Sequence, residues 1–315
     1  MSSLFRFLIK LWGLTSVAPG YRYHIIERYA PKLATAKPLI SKLPNGIRVS
    51  CDLRDHVQRH IYYWGLYEPV ESWVFTQLLK PGDTMFDAGA NVGQYSLLAS
   101  TIVQAQGSVH SFEPAAVNRQ KLSESIANNG LVNIRLNGLA LWDRPEVLTM
   151  KLDQADLEDL NFGSYSAQQR AVDENGPFDE TDSVQAIRID DYVSEKRLQA
   201  LNVIKMDIEG SEYRALQGSR ATLIEFRPMI LMELNQLAAQ NHGGDLGDLW
   251  RLLVDELGYD LFAIEPSHRP PVRLESIKGI ERMNVVAVHK DSPKPAVLDL
   301  PLDLKTILAW ARSGQ

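Results

Sequence analysis

The chain has 315 residues, 45% of them hydrophobic, which is enough for one large domain with a substantial core or one domain with an appended segment. Its formal net charge of −6 excludes an overall footprint for nucleic-acid phosphates, so no nucleic-acid partner is expected. A single cysteine, Cys51, excludes an internal disulfide framework and a multi-thiolate metal cage, and it fits a reducing cytoplasm.

The first residues group Leu4, Phe5, Phe7, Leu8, Ile9, Leu11 and Trp12, interrupted by Arg6 and Lys10. On a helix, Arg6, Lys10 and Gly13 share one face, while Leu4, Leu8, Leu11 and Thr15 follow another. The segment is too short and too charged to span a bilayer. It also lacks the unbroken apolar run and nearby small-residue cleavage site of a signal peptide. Two readings stay open: a helix packed on the domain or a partner, and an interfacial helix on the inner membrane face with Trp12 at headgroup level. Residues 1–80 form an N-terminal extension, expected to be helical and packed on the core. Within it, His56 and His60 precede Tyr62-Tyr63-Trp64, aromatics that suit packing.

From about residue 82, short β-rich runs alternate with helical stretches, the signature of a parallel sheet covered by helices. Strands are expected near Thr84–Asp87, Ser108–Glu113, Asn133–Asn137, Val203–Asp207, Met229–Glu233, Asp260–Ile264 and Asn284–Val288. Helices are expected over Gln94–Thr101, Val117–Asn129, Ser211–Leu223 and Asp245–Leu257; Asn128-Asn129-Gly130 and Leu257-Gly258 end two of them. The fold class is therefore α/β, a Rossmann-like, mostly parallel seven-stranded sheet with helices on both faces, over residues 81–290. Val147–Leu152 and Ser183–Ile189 read as an extra strand pair. Between them lies Asp153–Asp182, acidic and amide-rich, either a solvated loop or a substrate lid. Residues 291–315 read as a tail or helix.

Thr84-Met85-Phe86-Asp87 is an apolar strand ending in a carboxylate, and Ala88-Gly89-Ala90-Asn91-Val92-Gly93 follows at once. Small residues there let the backbone turn tightly and approach a ligand. A dinucleotide fingerprint wants glycines at its first, third and sixth positions, but counting from Gly89 the latter two are Asn91 and Gln94. The D-x-G-x-N-x-G pattern instead suits a cofactor with a cationic sulfonium and an amino-acid tail, with Asp87 as compensating charge. Phe112-Glu113-Pro114 ends the second strand, so Glu113 is placed to accept bonds from two ribose hydroxyls.

These blocks together resemble the FkbM family of class I S-adenosylmethionine-dependent methyltransferases. Gly65-Leu66-Tyr67-Glu68-Pro69 matches its G-x-Y-E-P block, and Asp87–Gly93 its D-x-G-A-N-x-G loop. Phe112-Glu113-Pro114 matches its ribose acid, and Ala140-Leu141 the segment expected beside adenine. Ile189-Asp190-Asp191 fits the L-D-D turn, with Ile for the usual Leu. The most diagnostic match is Ile204-Lys205-Met206-Asp207-Ile208-Glu209-Gly210-Ser211-Glu212, to I-K-x-D-x-E-G-x-E. The resemblance covers roughly residues 56–290. It implies a class I methyltransferase sheet and cofactor contacts from Glu68, Asp87, Gly89, Asn91, Gly93, Glu113, Ala140 and Asp207. It also implies O-methylation of a hydroxyl on a sugar, glycan, glycolipid or natural product. S-adenosylhomocysteine would be the product.

Methyl transfer to a neutral hydroxyl needs positioning and help in losing a proton. Asp207 and Glu209 stand at the carboxyl edge where open α/β sheets bind ligands. Glu209 is the first candidate on the acceptor side, with Asp207 nearer the cofactor. Glu233 and Asn235 end the fifth strand at the same edge; with Asp207 they offer oxygen ligands for Mg²⁺, although the metal-free reading is preferred. Glu212 reads as a first-turn acid, Lys205 as a structural mid-strand residue, and His242 as a loop histidine near the mouth. A homo-oligomer is compatible with this composition. The competing functions are a nicotinamide-dependent oxidoreductase on a similar sheet, which lacks its glycines here, and a non-catalytic scaffold.

Overall fold

The computed structural model of the chain describes residues 2–13, 26–152, 165–168, 183–265 and 269–314. The chain opens with α1 (Ser2–Gly13), followed by a hairpin, β1 (Leu39–Lys42) and β2 (Arg48–Cys51), and by α2 (His56–Trp64) and α3 (Pro69–Leu78). The expected all-helical extension is thus part hairpin. Asn45-Gly46 makes its turn, with Gly46 in the left-handed region where a side chain would be strained. Asp55 caps α2 by accepting from the Gln58 N–H at 2.9 Å.

The main sheet then begins. Its strands are β3 (Thr84–Ala88), β4 (Ser108–Phe112), β5 (Ile134–Asn137), β10 (Val203–Met206), β11 (Met229–Asn235), β12 (Tyr259–Ile264), β13 (Val272–Arg273) and β14 (Arg282–His289). They lie in the order β5-β4-β3-β10-β11-β14-β12-β13. Strands β5 to β11 are mutually parallel and β14 runs antiparallel between β11 and β12. All seven expected strands are present, and the two-residue β13 adds an eighth at the edge beside Phe262 and Ala263.

Between β5 and β10 the chain builds a second sheet from β6 (Leu139–Leu141), β7 (Glu146–Leu152), β8 (Tyr165–Gln168) and β9 (Ser183–Ile187), in the order β6-β9-β7-β8. Of the acidic stretch 153–182 only β8 falls within the described residues, so the lid expectation lies outside them. The helices of this half are α4 (Gln94–Val103), α5 (Ala116–Asn128), α6 (Ile189–Lys196), α7 (Glu212–Gln217), α8 (Arg220–Phe226), α9 (Gln236–Asn241), α10 (Leu246–Trp250) and α11 (Leu304–Ala311).

Two-residue alternation sends each strand's side chains into two cores. Phe86, Ile204 and Ile230 pack against α6, α7 and α10 through Ile189, Leu216 and Leu249. Met85, Val203 and Leu231 pack on the other face against α3 and α4 through Phe75 and Ala99. In the extension, Leu43, Val49 and Ile61 share a core with Ala90, Val92 and Leu98 of the glycine turn and α4. The extension is therefore continuous with the sheet's binding edge. Among the described residues no helix is long and apolar enough to cross a membrane.

Candidate active site

From β3 the sheet grows one way through β4 and β5, and from β10 the other way through β11, so the direction of winding reverses between β3 and β10. Such a switch point leaves a crevice at the carboxyl ends of the strands. Ala88 pairs with Met206 there, and the Asp207 N–H donates to the Ala88 carbonyl at 3.1 Å. A cavity opens at this point, lined among others by Tyr67, Glu68, Gly89, Asn91, Glu113, Ala140, Lys205, Asp207 and Glu209.

Gly89 has φ +76°, and a Cβ on it would overlap the Asp207 carbonyl oxygen. The strand ends can approach each other only because no side chain stands between them. Three non-glycine residues on the cavity wall, Glu68, Asn91 and Glu209, also hold positive φ, at 48°, 51° and 55°. Of the other three such residues among those described, Arg197 and Arg227 end helices in the left-handed region, where that conformation is ordinary, and Gln104 follows α4 with φ 61° and ψ −166°. Asn tolerates the left-handed region; Glu does so at a cost of about 1–3 kcal/mol, and such strain gathers at functional sites.

Glu113 holds the Gly89–Asn91 turn. One carboxylate oxygen accepts from the Asn91 N–H at 2.7 Å and the other from the Ala115 N–H at 2.9 Å. Burial pushes its carboxyl up to about 7 against the pull of those two N–H groups. Both oxygens retain lone pairs for a ligand.

Across the cavity, Lys205 Nζ donates to Asp207 Oδ2 at 3.0 Å and lies 4.8 Å from the Tyr95 ring centroid. Burial pulls the ammonium down, but Asp207, Asp87 and Glu68 outweigh it, so Lys205 is held above its ordinary value. The Tyr95 hydroxyl donates to Glu68 at 3.2 Å. Burial first, then Asp207 and Glu71, raise Glu68 to about 8. Gln94 fixes this wall: its side-chain oxygen accepts from the Tyr67 N–H and its NH₂ donates to the Tyr67 carbonyl, each at 2.8 Å.

Several expected site residues sit elsewhere. Asp87 is fully buried behind the cavity wall, accepting from the Ser96 hydroxyl at 2.5 Å; the two-residue period turns it toward α4 rather than the ligand space. Gly93 makes the left-handed entry to α4, and a Cβ there would strike the Leu122 side chain, so its role is packing. Glu233 faces a smaller adjoining space with Glu68, Glu71 and Asp207, and it is ion-paired with Arg282. Glu212 is buried and accepts from the Ile208 N–H at 2.8 Å, bracing the turn that carries Glu209. His242 stands behind that turn, 3.5 Å from the Ser211 hydroxyl. Lys205, read from sequence as structural, lines the cavity, as do Gln94 and Tyr95, for which the sequence reading had no role.

Among the described residues, only Glu27, His56 and His60 bring three metal-ligating atoms together. Arg59 already takes the cation's place there, with its guanidinium on Glu27 at 2.5 Å and 3.2 Å from His56 Nδ1.

Residues 87–261 match the family model described as the methyltransferase FkbM domain. A relative from Streptomyces tacrolimicus, 31-O-demethyl-FK506 methyltransferase FkbM, is 28% identical over 162 residues, 44% of this chain. This chain spans only 60% of that relative's length. Methyltransferase 1 of Beauveria bassiana is 24% identical over 201 residues, 61% of this chain and 78% of the relative. The crystal structure of methyltransferase FkbM from Methylobacillus flagellatus superposes with a TM-score of 0.41 at 18% identity, covering 66% of this chain and 44% of that one. With the family model matching more than half its length, the chain belongs to the FkbM family of methyltransferases.

Proposed function

We propose that the switch-point cavity holds S-adenosylmethionine and that the protein methylates a hydroxyl of a sugar, glycan, glycolipid or natural product. The observation that carries this reading is one crevice combining the Gly89–Asn91 turn, Glu113, and the Lys205–Asp207 pair. Its lining combines apolar side chains with a few convergent polar groups, as small-molecule sites do. Its donor set also fits the cofactor's parts. Glu113 offers lone pairs to the ribose hydroxyls. Phe112, Leu139 and Ala140 offer apolar surface to adenine. Lys205 suits a carboxylate, while Asp207 and Glu68 suit an ammonium and a sulfonium.

The bound cofactor supplies a methyl group activated on a cationic sulfur. The chain's residues do the rest. Asp207, paired with Lys205, is placed to balance the positive charge. Glu209, on a turn fixed by its own left-handed conformation and by Glu212, faces the acceptor side. There Glu209 would accept the proton of the acceptor hydroxyl. The oxygen acceptor is supported by the name of the Streptomyces relative, which acts on the 31-O position of FK506. Mg²⁺ is left out of the reading, because Glu233 is turned onto Arg282 and Asn235.

Turnover assays with a panel of sugar, glycolipid and macrolide acceptors test the proposal. Glu209→Gln is expected to leave S-adenosylhomocysteine affinity unchanged and to lower turnover by about 10²–10⁴-fold. An equal loss of cofactor affinity would remove Glu209 from the acceptor side. Activity abolished by a chelator and restored by Mg²⁺ would overturn the metal-free reading.

A further inference from the structure

α1 is oriented the wrong way round for a helix that serves only to cover the core. Its two charges, Arg6 and Lys10, both turn inward: Arg6 donates to the Leu33 carbonyl at 3.0 Å, and Lys10 Nζ lies 4.5 Å from the Tyr62 ring centroid. Ile9 fills the contact with Ile26, Ala30 and Tyr63. Leu4, Phe7, Leu8 and Leu11, spaced i, i+3, i+4 and i+7, therefore share the outward face, exposed by 64, 60, 49 and 49%. That face carries no charge at all. A contiguous apolar stripe of this kind on a protein surface marks an interaction site.

The surrounding charge says what kind of surface fits. The first 50 residues hold eight Lys or Arg and one acid, Glu27, a net of +7, whereas the remaining 265 residues sum to −13. Arg28 and Lys32 are exposed and flank the exposed Tyr29 ring at 5.8 and 5.9 Å, next to the Leu33 carbonyl that Arg6 grips. An apolar stripe beside cations and an aromatic ring matches the acyl boundary and headgroup layer of an anionic bilayer. A second copy of this chain would bring its own Arg28 and Lys32 up to this cationic neighbourhood, which disfavours self-association there.

We propose that α1 docks this protein on anionic lipid surfaces, Leu4, Phe7, Leu8 and Leu11 entering the acyl boundary while Arg28 and Lys32 meet the headgroups. Sedimentation of the full chain with vesicles tests it. The chain is expected to pellet with phosphatidylcholine vesicles containing about 30% phosphatidylglycerol, far less with phosphatidylcholine alone, and less at about 0.5 M salt. The double substitution Phe7→Glu and Leu11→Glu is expected to cut partitioning by about tenfold or more, with an unchanged circular-dichroism melt because both side chains face solvent. Arg28→Glu with Lys32→Glu is expected to weaken binding to the anionic vesicles alone. Absence of pelleting with either vesicle, or undiminished pelleting of the Phe7→Glu, Leu11→Glu chain, would overturn the proposal. So would a dimer in light scattering that this double substitution dissociates.

Discussion

At Gly89 the two halves of the sheet come so close that a side chain has nowhere to go, because the Asp207 carbonyl occupies the position of a Cβ. Gly89→Ala is expected to cost about 2–4 kcal/mol of stability and to abolish cofactor binding, as read by thermal melting and calorimetry. Retained binding at wild-type affinity would contradict that placement. Glu68 gives a second residue-scale expectation. With its carboxyl near 8, it is mostly protonated at neutral pH and becomes an anion facing the cavity as pH rises. Affinity for the cationic S-adenosylmethionine should therefore climb between pH 7 and 9 in the wild type. Glu68→Gln should flatten that climb, and an identical profile in both would rule Glu68 out as its source. The sequence places Glu113, Asn91 and Asp207 at the cavity because motif spacing fixes which strand end each occupies. It misplaces Asp87, since only the side-chain period, counted from a known face, tells that this carboxylate points to Ser96. Lys205 is missed for the converse reason: a lysine among apolar residues looks structural until its partner at the strand's end is seen.

The elements around the site owe their shape to a few polar locks. Gln94, the first residue of α4, makes three hydrogen bonds to α3 and the segment before it, two to Tyr67 and one to the Ser72 hydroxyl at 2.9 Å. Gln94→Ala leaves the Tyr67 amide and carbonyl short of partners and frees Glu68 from its strained conformation. A loss of about 2–4 kcal/mol is expected, together with weaker cofactor binding. A melting temperature within a degree of wild type would show that the lock contributes little. Helix breaks are the least legible feature at this scale. Ser211–Leu223 reads as one apolar-periodic helix, yet it divides into α7 and α8 at Gly218-Ser219. The cause is tertiary: Gly218 lies against the Trp142 carbonyl, where a Cβ would not fit, and no local pattern announces that contact. Likewise Asp245–Leu257 continues past α10 as a π-turn over Arg251–Glu256. The parallel strands are read well because both of their faces are buried; Val203–Met206 is buried at every position.

Across the whole molecule, buried carboxyls make stability depend on pH in an unusual direction. Glu113 and Glu212 are held at about 7 and about 8, chiefly by burial, above their unfolded value of 4.5. The folded state thus binds protons that the unfolded state has released. The stability this adds is complete below about pH 4.5 and is lost as pH rises through 7 and 8. His110, lowered to about 4 by burial, works the other way only below its unfolded value of 6.5. Between pH 6.5 and 8 these two act together with Glu68, also held at about 8, so the ligand-free protein should lose about 4 kcal/mol, roughly 6 °C in melting temperature. Glu212→Gln should reduce that slope, and a melting temperature rising over the same range would contradict the assignment. Fold class follows from the alternation of strand and helix. The hairpin in the extension does not, because its strands are four residues long and carry little pattern.

Binding of S-adenosylhomocysteine, measured by isothermal titration calorimetry on the wild type and on Glu113→Ala, tests the central claim most directly. The cavity assignment predicts one site per chain, an affinity at least about tenfold weaker in Glu113→Ala through the lost ribose contacts, and no heat with NAD(H). Absence of S-adenosylhomocysteine binding, equal affinity in both proteins, or binding of NAD(H) in its place would contradict it.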